Sequence, residues 1–418
     1  MTPLAENVLK QVDAAQAELV EFAAELLRVP TVNPPGACYR ECAELIGQRL
    51  TLFGFEVDYP EADAGPYPRT NVVGIRRGRH ARPLVHLNGH FDVVPAGDDW
   101  TADPFGGLIR DGRLWGRGSA DMKAGLAAAM YAAEALRRAG VDLAGSIEVS
   151  GTVDEESGGF AGVCFLAQTG RISAARTDYV IIPEPFSPHR ICIGHRGVYW
   201  FKITAHGRIA HGSMPHQGVN AIDHMGVLLE KIRTELGPSL KLRETAMPVV
   251  PPEARFATIN TNAVSGGQAG EAYQTPCVAD RCEAIFDRRF LIEEGFDAAR
   301  AGIVRLIDDA VREDTSRRYE LEDLMVVEPT RTSPNSLLVQ TLAQSITRVL
   351  GREADLVASP GTYDHKHVAR IAGVEQCVAY GPGVLEQAHQ PDEWCAIDDI
   401  VNSAKVMALT LLDLVGAQ

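Results

Sequence analysis

The sequence predicts an α/β protein with two structural parts: a parent domain built on a largely parallel sheet with helices on both faces, and an inserted α+β domain of ferredoxin-like type. Over the first 194 residues, predicted strands alternate with predicted helices, which is the pattern of an open parallel sheet. From His195 the pattern changes to alternating, half-exposed strands. The chain has 418 residues, 45% of them hydrophobic, whereas one domain takes roughly 150 residues.

The parent domain begins with helices and continues with strands that run into polar residues. The pattern predicts three helices: one that ends before Pro30, one over residues 39–53, and one from Asp121 to about Gly140. It predicts four strands, over residues 71–75, 84–87, 146–153 and 179–182. The carboxyl ends of parallel strands meet at one edge of a sheet, so ligands are expected at that edge.

Residues 195–328 are predicted to form the inserted domain. Its strands fall at residues 198–205, 256–262, 278–286 and 319–327, and one helix falls at residues 296–311. The apolar face of a second helix is formed by Ile222, Met225, Leu229 and Ile232. This β-α-β-β-α-β order is that of a ferredoxin-like unit. The parent domain then comprises residues 1–194 and 329–418, with further helices at 337–350 and 400–414 and a strand at 377–380.

Charge and composition exclude several classes of protein. The formal net charge of −15 argues against nucleic acid as a partner, because a nucleic-acid groove needs a basic stripe. Acidic residues such as Glu6 and Asp13 do not fit a signal peptide, and the apolar stretch at residues 126–133 is too short to span a bilayer. We therefore expect no membrane partner and a cytoplasmic protein. The eight cysteines include no Cys-x-x-Cys pair, so we expect neither a zinc ribbon nor a redox dithiol.

Potential metal ligands follow three of the predicted strands or turns. His90 and Asp92 lie at a strand end, where alternation along the chain puts both side chains on the same side. Asp121 follows a glycine-rich turn, and the adjacent acids Glu155 and Glu156 follow the next strand. Taken singly, each feature has an ordinary structural interpretation: a hydrogen-bonded histidine–aspartate pair, a helix N-cap, or an exposed acidic loop.

Two later residues complete a possible donor set. Glu184 lies between Pro183 and Pro185, and such rigid flanks suit a metal ligand more than a solvated glutamate. His389 lies in a segment with no helical or strand pattern. A two-metal hydrolase needs a bridging carboxylate, terminal histidine and carboxylate ligands, and a free carboxylate for the proton of the attacking water. The chain contains all of these side chains.

The order and context of these residues resemble those of one family, the dinuclear zinc amidohydrolases and exopeptidases that include acetylornithine deacetylase, succinyl-diaminopimelate desuccinylase, aminoacylase and carboxypeptidase G. The resemblance covers nearly the whole chain. It rests on the segments GHFDVVP (89–95), GRGSADMKAG (116–125), TVDEESGG (152–159), IIPEP (181–185), AHGSMPHQGVNAI (210–222), FDRRF (286–290), GTYD (361–364) and AHQPDE (388–393). The resemblance implies two divalent metal ions per chain; zinc is expected, and cobalt or manganese could bind the same ligands.

The resemblance also implies a ligand set. His90 and Glu184 would hold one ion, Glu156 and His389 would hold the other, and Asp121 would bridge the two. These assignments depend on the matching segments rather than on spacing alone.

Catalytic roles follow from the same resemblance. Glu155 would be the general base, and Asp92 would orient His90. Because a metal pair lowers the pKa of water to about 7, a nearby glutamate can take its proton at neutral pH. The inserted domain would be the lid, whose His211 would stabilise the tetrahedral oxyanion, often from the partner subunit, so a homodimer is expected.

Substrate contacts are implied for Arg289, Gly361 and Thr362, which would hold a substrate carboxylate because arginine suits a bidentate grip. Two segments depart from the family pattern. Gln274-Thr275-Pro276 stands where relatives commonly have an Asn-Val-Pro-like segment, so no asparagine contact is carried over. The segment at residues 361–367, GTYDHKH, is unusual, and both a solvated loop and the wall of a pocket for an aromatic or acidic substrate fit it.

We therefore expect a metal-dependent hydrolase that cleaves the amide C–N bond of a small carboxylate-bearing substrate, foremost an N-acyl amino acid. A dipeptidase or carboxypeptidase, or an aminohydrolase acting on an unusual aromatic amino acid, is the alternative, because pocket walls rather than metal ligands set specificity. A catalytically silent metal-binding homologue is disfavoured, since Glu155 and every ligand position are retained. The chain has no Gly-x-Ser-x-Gly elbow, HExxH helix or P-loop.

Overall fold

The computed structural model describes residues 1–268 and 276–416. The α-helices of this part of the chain are α1 (Pro3–Ala14), α2 (Gln16–Leu27), α3 (Tyr39–Leu52), α4 (Lys123–Arg138), α5 (Phe165–Gln168), α6 (Ala221–Lys231), α7 (Gly237–Leu240), α8 (Phe296–Glu313), α9 (Leu337–Leu350), α10 (His365–Arg370) and α11 (Ile397–Val415). The strands are β1 (Glu56–Asp58), β2 (Glu61–Ala62), β3 (Arg69–Thr70), β4 (Val72–Arg76), β5 (Leu84–His90), β6 (Leu108–Arg110), β7 (Arg113–Trp115), β8 (Ser146–Thr152), β9 (Tyr179–Ile182), β10 (Arg190–His195), β11 (Gly197–His206), β12 (Thr258–Gly267), β13 (Arg281–Phe290), β14 (Arg318–Val327), β15 (Thr330–Arg331), β16 (Asp355–Ser359), β17 (Cys377–Ala379) and β18 (Trp394–Ala396).

The chain divides into two compact units. The first unit contains residues 1–194, 331–357 and the chain from Tyr363 onward; the second contains residues 195–330 and 358–362. The sequence-based boundary of the inserted domain, 195–328, ends two residues earlier. The short segment 358–362 packs with the second unit, although its place in the sequence assigns it to the parent domain.

The larger sheet has nine strands in the order β1-β4-β8-β5-β9-β17-β10-β15, with β16 paired to β10. Its four central strands, β8, β5, β9 and β17, are parallel. β4 and β10 run antiparallel to their neighbours β8 and β17. Every residue of β5 and β8 is buried, as expected for strands in the covered centre of a sheet. The predicted largely parallel α/β fold is confirmed.

Helices α3, α4 and α11 pack against this sheet. Helix α4 is buried along almost its whole length, because its many alanines let the neighbouring helices α1, α2 and α11 approach closely. The helix begins at Lys123 with Met122 as its N-cap residue. Asp121 therefore precedes the helix, and the interpretation of Asp121 as an N-cap or first-turn acid is wrong.

The second unit is built on a four-stranded antiparallel sheet in the order β12-β13-β11-β14. With α6 and α8 against the sheet, the unit has the β-α-β-β-α-β order predicted for a ferredoxin-like domain. Helix α6 buries Ala221, Met225 and Leu228, whereas Ile222 is 46% exposed. The predicted apolar face was thus wrong at Ile222, because helical periodicity locates a stripe but not which of its edges is covered.

None of the helices in the described part of the chain combines the length and the apolar character needed to cross a membrane.

Candidate metal centre

The five predicted metal ligands all belong to the first unit. His90 is the last residue of β5, and Glu184 follows the end of β9 by two residues. Glu156 lies in a short 3-10 turn after β8. Asp121 lies just before α4, and His389 lies in the loop that leads to β18. The parallel strands β5, β8 and β9 therefore deliver three of the five side chains from one edge of the sheet.

The five side chains form two groups that share one carboxylate. The first group is His90, Asp121 and Glu184; the second is Asp121, Glu156 and His389; in each group the candidate ligand atoms all lie within 4.8 Å of one another. His90 Nε2 lies 3.1 Å from Asp121 Oδ1, whereas His389 Nε2 lies 3.5 Å from Asp121 Oδ2. The two oxygens of Asp121 thus face different histidines, as a bridging carboxylate requires.

The glutamates complete each group beside its histidine. Glu184 Oε1 lies 3.8 Å from His90 Nε2. Both oxygens of Glu156 lie 3.1 Å from His389 Nε2. Imidazole nitrogen and carboxylate oxygen are a suitable donor set for zinc and similar divalent ions.

Buried carboxylate charge dominates the electrostatics of the cluster. Burial, and then the charge of Asp121, raises the pKa of Glu184 well above its usual value. Burial raises the pKa of Glu156 to about 7. Hydrogen bonds to Asp121 and Glu156 raise the pKa of His389 to about 10. Burial acts to lower the pKa of His90, but neighbouring aspartates raise it well above its usual value. A cluster that draws protons onto its histidines in this way also attracts divalent cations, so the residues fit a metal pair.

Asp92 contacts more than the histidine it was predicted to orient. His90 Nδ1 lies 3.0 Å from the main-chain oxygen of Asp92 and 3.5 Å from its Oδ1, so the carbonyl is the nearer acceptor. The Asp92 carboxylate accepts hydrogen bonds from the main-chain amides of Glu155 and Glu156, at 3.1 and 3.2 Å, and from Asn33 at 2.9 Å. Asp92 therefore links the end of β5 to the turn that carries the predicted base.

Glu393 is a site residue whose role the sequence did not reveal. Its buried side chain accepts hydrogen bonds at Oε1 from the main-chain amides of Gly118, Ala120 and Asp121, at 3.1, 2.8 and 3.1 Å. Its Oε2 accepts from Arg117 Nη1 at 2.6 Å, and Arg117 is itself only 2% exposed. Glu393 therefore fixes the backbone at Asp121. Arg117 and Glu393 both lie in segments that match the family pattern, but neither segment by itself shows that the two side chains meet.

The segment at residues 361–367 is not a solvated loop, so that interpretation is wrong. Tyr363, His365, Lys366 and His367 are all buried, and α10 begins at His365. Lys366 Nζ donates a hydrogen bond to Glu155 Oε1 at 2.9 Å, so the positive charge of the lysine lies next to the predicted general base. That the segment forms the wall of a substrate pocket stays a prediction.

The predicted oxyanion-stabilising residue, His211, belongs to the second unit. Its side chain is exposed, and its Nδ1 accepts hydrogen bonds from the main-chain amide and the hydroxyl of Ser213, at 3.1 and 2.8 Å. Neither metal-ligand group includes it.

The predicted substrate-binding residues also belong to the second unit. Arg289 makes a two-point ion pair with Asp287, with Nε and Nη2 at 2.8 and 2.9 Å from its oxygens. Gly361 donates its amide to Ser359 Oγ at 3.1 Å, and Thr362 is half-buried. Gln274 and Thr275 lie outside the described residues. The roles of these residues stay predictions.

Comparison with known proteins gives a consistent result. The sequence model of peptidase family M20/M25/M40 matches residues 86–413. The succinyl-diaminopimelate desuccinylase of Azoarcus sp. strain BH72 is 31% identical over 407 residues, covering 95% of this chain and 97% of that protein. The succinyl-diaminopimelate desuccinylase of Methylorubrum extorquens strain PA1 is 30% identical over 387 residues, covering 91% and 94%.

Solved structures share the fold over nearly the full chain. Human carnosine dipeptidase 1 superimposes with a TM-score of 0.76 at 19% identity and covers 99% of both chains. The Bacillus subtilis YXEP protein, a dinuclear metal-binding peptidase, superimposes with a TM-score of 0.68 at 16% identity and covers 96% of this chain and 99% of that one.

Proposed function

Because the chain belongs to peptidase family M20/M25/M40 and is therefore a metal-dependent amide hydrolase, we propose that it removes the acyl group from an N-acyl amino acid with a free carboxylate. The observation that carries the proposal is the Asp121 carboxylate, which presents one oxygen to each of two histidine–glutamate groups. N-succinyl amino acids are the first substrates to test, because the relatives described above are desuccinylases.

The proposed centre holds two divalent ions. His90 and Glu184 would hold one ion, Glu156 and His389 would hold the other, and Asp121 would contribute a ligand to both. Zinc suits these ligands best, and cobalt or manganese is an alternative. When bound, the ions supply Lewis acidity and lower the pKa of a water molecule to about 7.

Glu155 is the proposed general base. Its side chain is 11% exposed, so it can reach a water molecule while remaining largely shielded from bulk solvent. Glu155 takes a proton from the attacking water as the new C–O bond forms; when the C–N bond breaks, Glu155 returns that proton to the departing nitrogen. General acid–base catalysis of this kind contributes typically about 10²–10⁴-fold.

The remaining roles carry over as part of the same proposal. His211, supplied by the partner subunit of a homodimer, stabilises the oxyanion. Arg289, Gly361 and Thr362 hold the substrate carboxylate. A cytoplasmic location remains part of the proposal.

A substrate panel tests the proposal. The zinc-loaded protein is assayed with N-succinyl and N-acetyl amino acids and with dipeptides, beside Glu155→Gln and the exposed control Glu6→Gln. We expect the acylated amino acids to be the better substrates. We expect Glu155→Gln to lose about 10²–10⁴-fold in kcat with unchanged metal content, and Glu6→Gln to match the wild type. Hydrolysis of dipeptides without hydrolysis of acylated amino acids would reject the deacylase.

A further inference from the structure

A buried lysine contacts the proposed base. The side chains of Lys366 and Glu155 are 6% and 11% exposed, and Lys366 Nζ lies 2.9 Å from Glu155 Oε1. Burial acts to lower the pKa of Lys366, but the charges of Glu155 and Asp364 raise it above its usual value. The lysine is therefore an ammonium, and the contact is a charge-assisted hydrogen bond in a poorly solvated environment.

The base lies on a backbone segment that has little regular structure of its own. Glu155 opens a 3-10 turn of three residues, flanked by Asp154 with φ 61°, Gly158 with φ 112° and Gly159 with φ 75°. A glutamate side chain also has several rotatable bonds, so fixing its carboxylate costs conformational entropy. A hydrogen bond from another residue to the carboxylate reduces the conformational freedom of the side chain.

Helix α10 holds both ends of this turn. Lys366 contacts the Glu155 side chain, and the next residue, His367, places Nε2 2.6 Å from the main-chain oxygen of Gly158. Burial, and then the charge of Lys366, lowers the pKa of His367 to about 4. At neutral pH the imidazole is uncharged and donates from Nε2 to that carbonyl.

A chain of buried polar side chains anchors the residues just before α10 to the central sheet. Asp364 Oδ2 accepts from Asn88 Nδ2 at 3.0 Å, and Asn88 Oδ1 accepts from Ser150 Oγ at 2.7 Å. Ser150 Oγ lies 2.7 Å from His86 Nε2, and His86 Nδ1 lies 2.8 Å from Glu148 Oε1. Hydrogen-bonded networks of this kind rigidify a core, so the lysine projects from a fixed support.

We propose that Lys366 is a positioning residue for the hydrolysis: its ammonium holds Oε1 of Glu155, which leaves Oε2 directed at the attacking water. The inference rests on the proposed role of Glu155 as the base. Without the ammonium, the carboxylate can rotate within the turn and is repelled by the neighbouring carboxylates. Misplacement of a reacting group by about 1 Å can cost on the order of 10²-fold in rate.

Substitution of Lys366 tests the proposal on the zinc-loaded enzyme. We expect Lys366→Met to lower kcat about 100-fold with metal content unchanged and KM altered less than about threefold. Lys366→Arg, which keeps the charge, should recover part of the loss. The matched control is Lys405→Met, which removes a lysine ion pair with Asp13, 2.6 Å apart in the same unit; its kcat should equal that of the wild type. A kcat for Lys366→Met within about threefold of the wild type overturns the proposal.

A double-mutant cycle separates positioning from other effects. If Lys366 acts through Glu155, then Lys366→Met should change the residual turnover of Glu155→Gln by less than about threefold. The same loss in both backgrounds overturns the proposal. Should Lys366→Met not fold, Lys366→Arg is compared with Lys366→Gln: higher turnover in the arginine variant supports the proposal, and equal turnover overturns it.

The two proposals fail in different ways. Full turnover in Glu155→Gln rejects the base and, with it, the proposed mechanism. Loss of turnover in Glu155→Gln together with unchanged kcat in Lys366→Met rejects only the positioning role.

Discussion

Replacing Glu393 with alanine should destabilise the first unit more than any change on its surface. Four donors converge on the buried Glu393 carboxylate: the Arg117 guanidinium and the main-chain amides of Gly118, Ala120 and Asp121. The alanine variant leaves the guanidinium, 2% exposed, without its counter-charge. It also leaves three amides without their acceptor.

The size of the effect follows from these contacts. Breaking a buried ion pair by removing one partner costs roughly 3–5 kcal/mol. Each amide left without an acceptor would cost a further roughly 1–3 kcal/mol, and water that enters the vacated space would reduce that cost. We therefore take about 4 kcal/mol, the middle of the ion-pair range, as the estimate without the amides, and at ~2 °C per kcal/mol for a large unit, Tm should fall by about 8 °C or more.

Thermal unfolding of the metal-free protein measures this effect without a contribution from bound ions. Glu393→Gln, which keeps the shape and an acceptor oxygen, should fall between the wild type and Glu393→Ala. The exposed control Glu386→Ala should change stability by less than about 0.5 kcal/mol. In Glu393→Ala/Arg117→Met the loss should be smaller than the sum of the two single losses, because the unpaired charge is gone. A Tm for Glu393→Ala within about 2 °C of the wild type would refute the reasoning.

Three further predictions concern histidines. Burial lowers the pKa of His365 to about 3, and burial with a neighbouring lysine charge lowers that of His367 to about 4. In the unfolded chain a histidine has a pKa of about 6.5, so it binds a proton before the same histidine does in the folded chain. The contribution of each histidine to the free energy of unfolding is therefore fully present above pH ~6.5. It is lost as the pH falls towards the folded-state pKa, by ~2 kcal/mol per histidine at pH ~5. Between pH 7 and pH 5, the free energy of unfolding of the metal-free protein, measured in urea, should therefore fall by ~2 kcal/mol less in His367→Gln than in the wild type. Equal falls in the two proteins would contradict this. The pKa of His389 is raised to about 10, so its imidazole carries a proton at neutral pH. Zinc binding should therefore release protons and become tighter as the pH rises. Calorimetry in two buffers measures this release, and its absence would contradict the prediction. His211→Ala should lower kcat about 10²–10³-fold with metal content intact, whereas the exposed control His216→Ala should not; an unchanged rate would remove His211 from the mechanism.

Local sequence placed three metal-ligand candidates at strand ends, although each of them taken singly also had an ordinary structural interpretation. His90, Glu156 and Glu184 each follow a short apolar run closely, and parallel strands end at one edge. His389 has no such local pattern, and only the resemblance of its segment to the family pointed to it.

Several tertiary contacts could not be predicted from local sequence. Helix α10 has three ionisable residues at its start and no apolar periodicity, so the burial of Lys366 and its contact with Glu155 could not be predicted. Glu393 and Arg117 are 276 residues apart in the chain, and no local pattern pairs them. The exposure of Ile222 likewise depends on which edge of the α6 stripe meets the sheet.

Metal analysis tests the two-metal account most directly. Elemental analysis of the purified wild type, Asp121→Ala and Glu155→Ala should find two divalent transition-metal ions per chain in the wild type and in Glu155→Ala, whose turnover is nearly abolished. Asp121→Ala should lose both metal and turnover, because a bridging ligand serves both ions. Absence of transition metal from the wild type, or two ions retained in Asp121→Ala, would contradict the account.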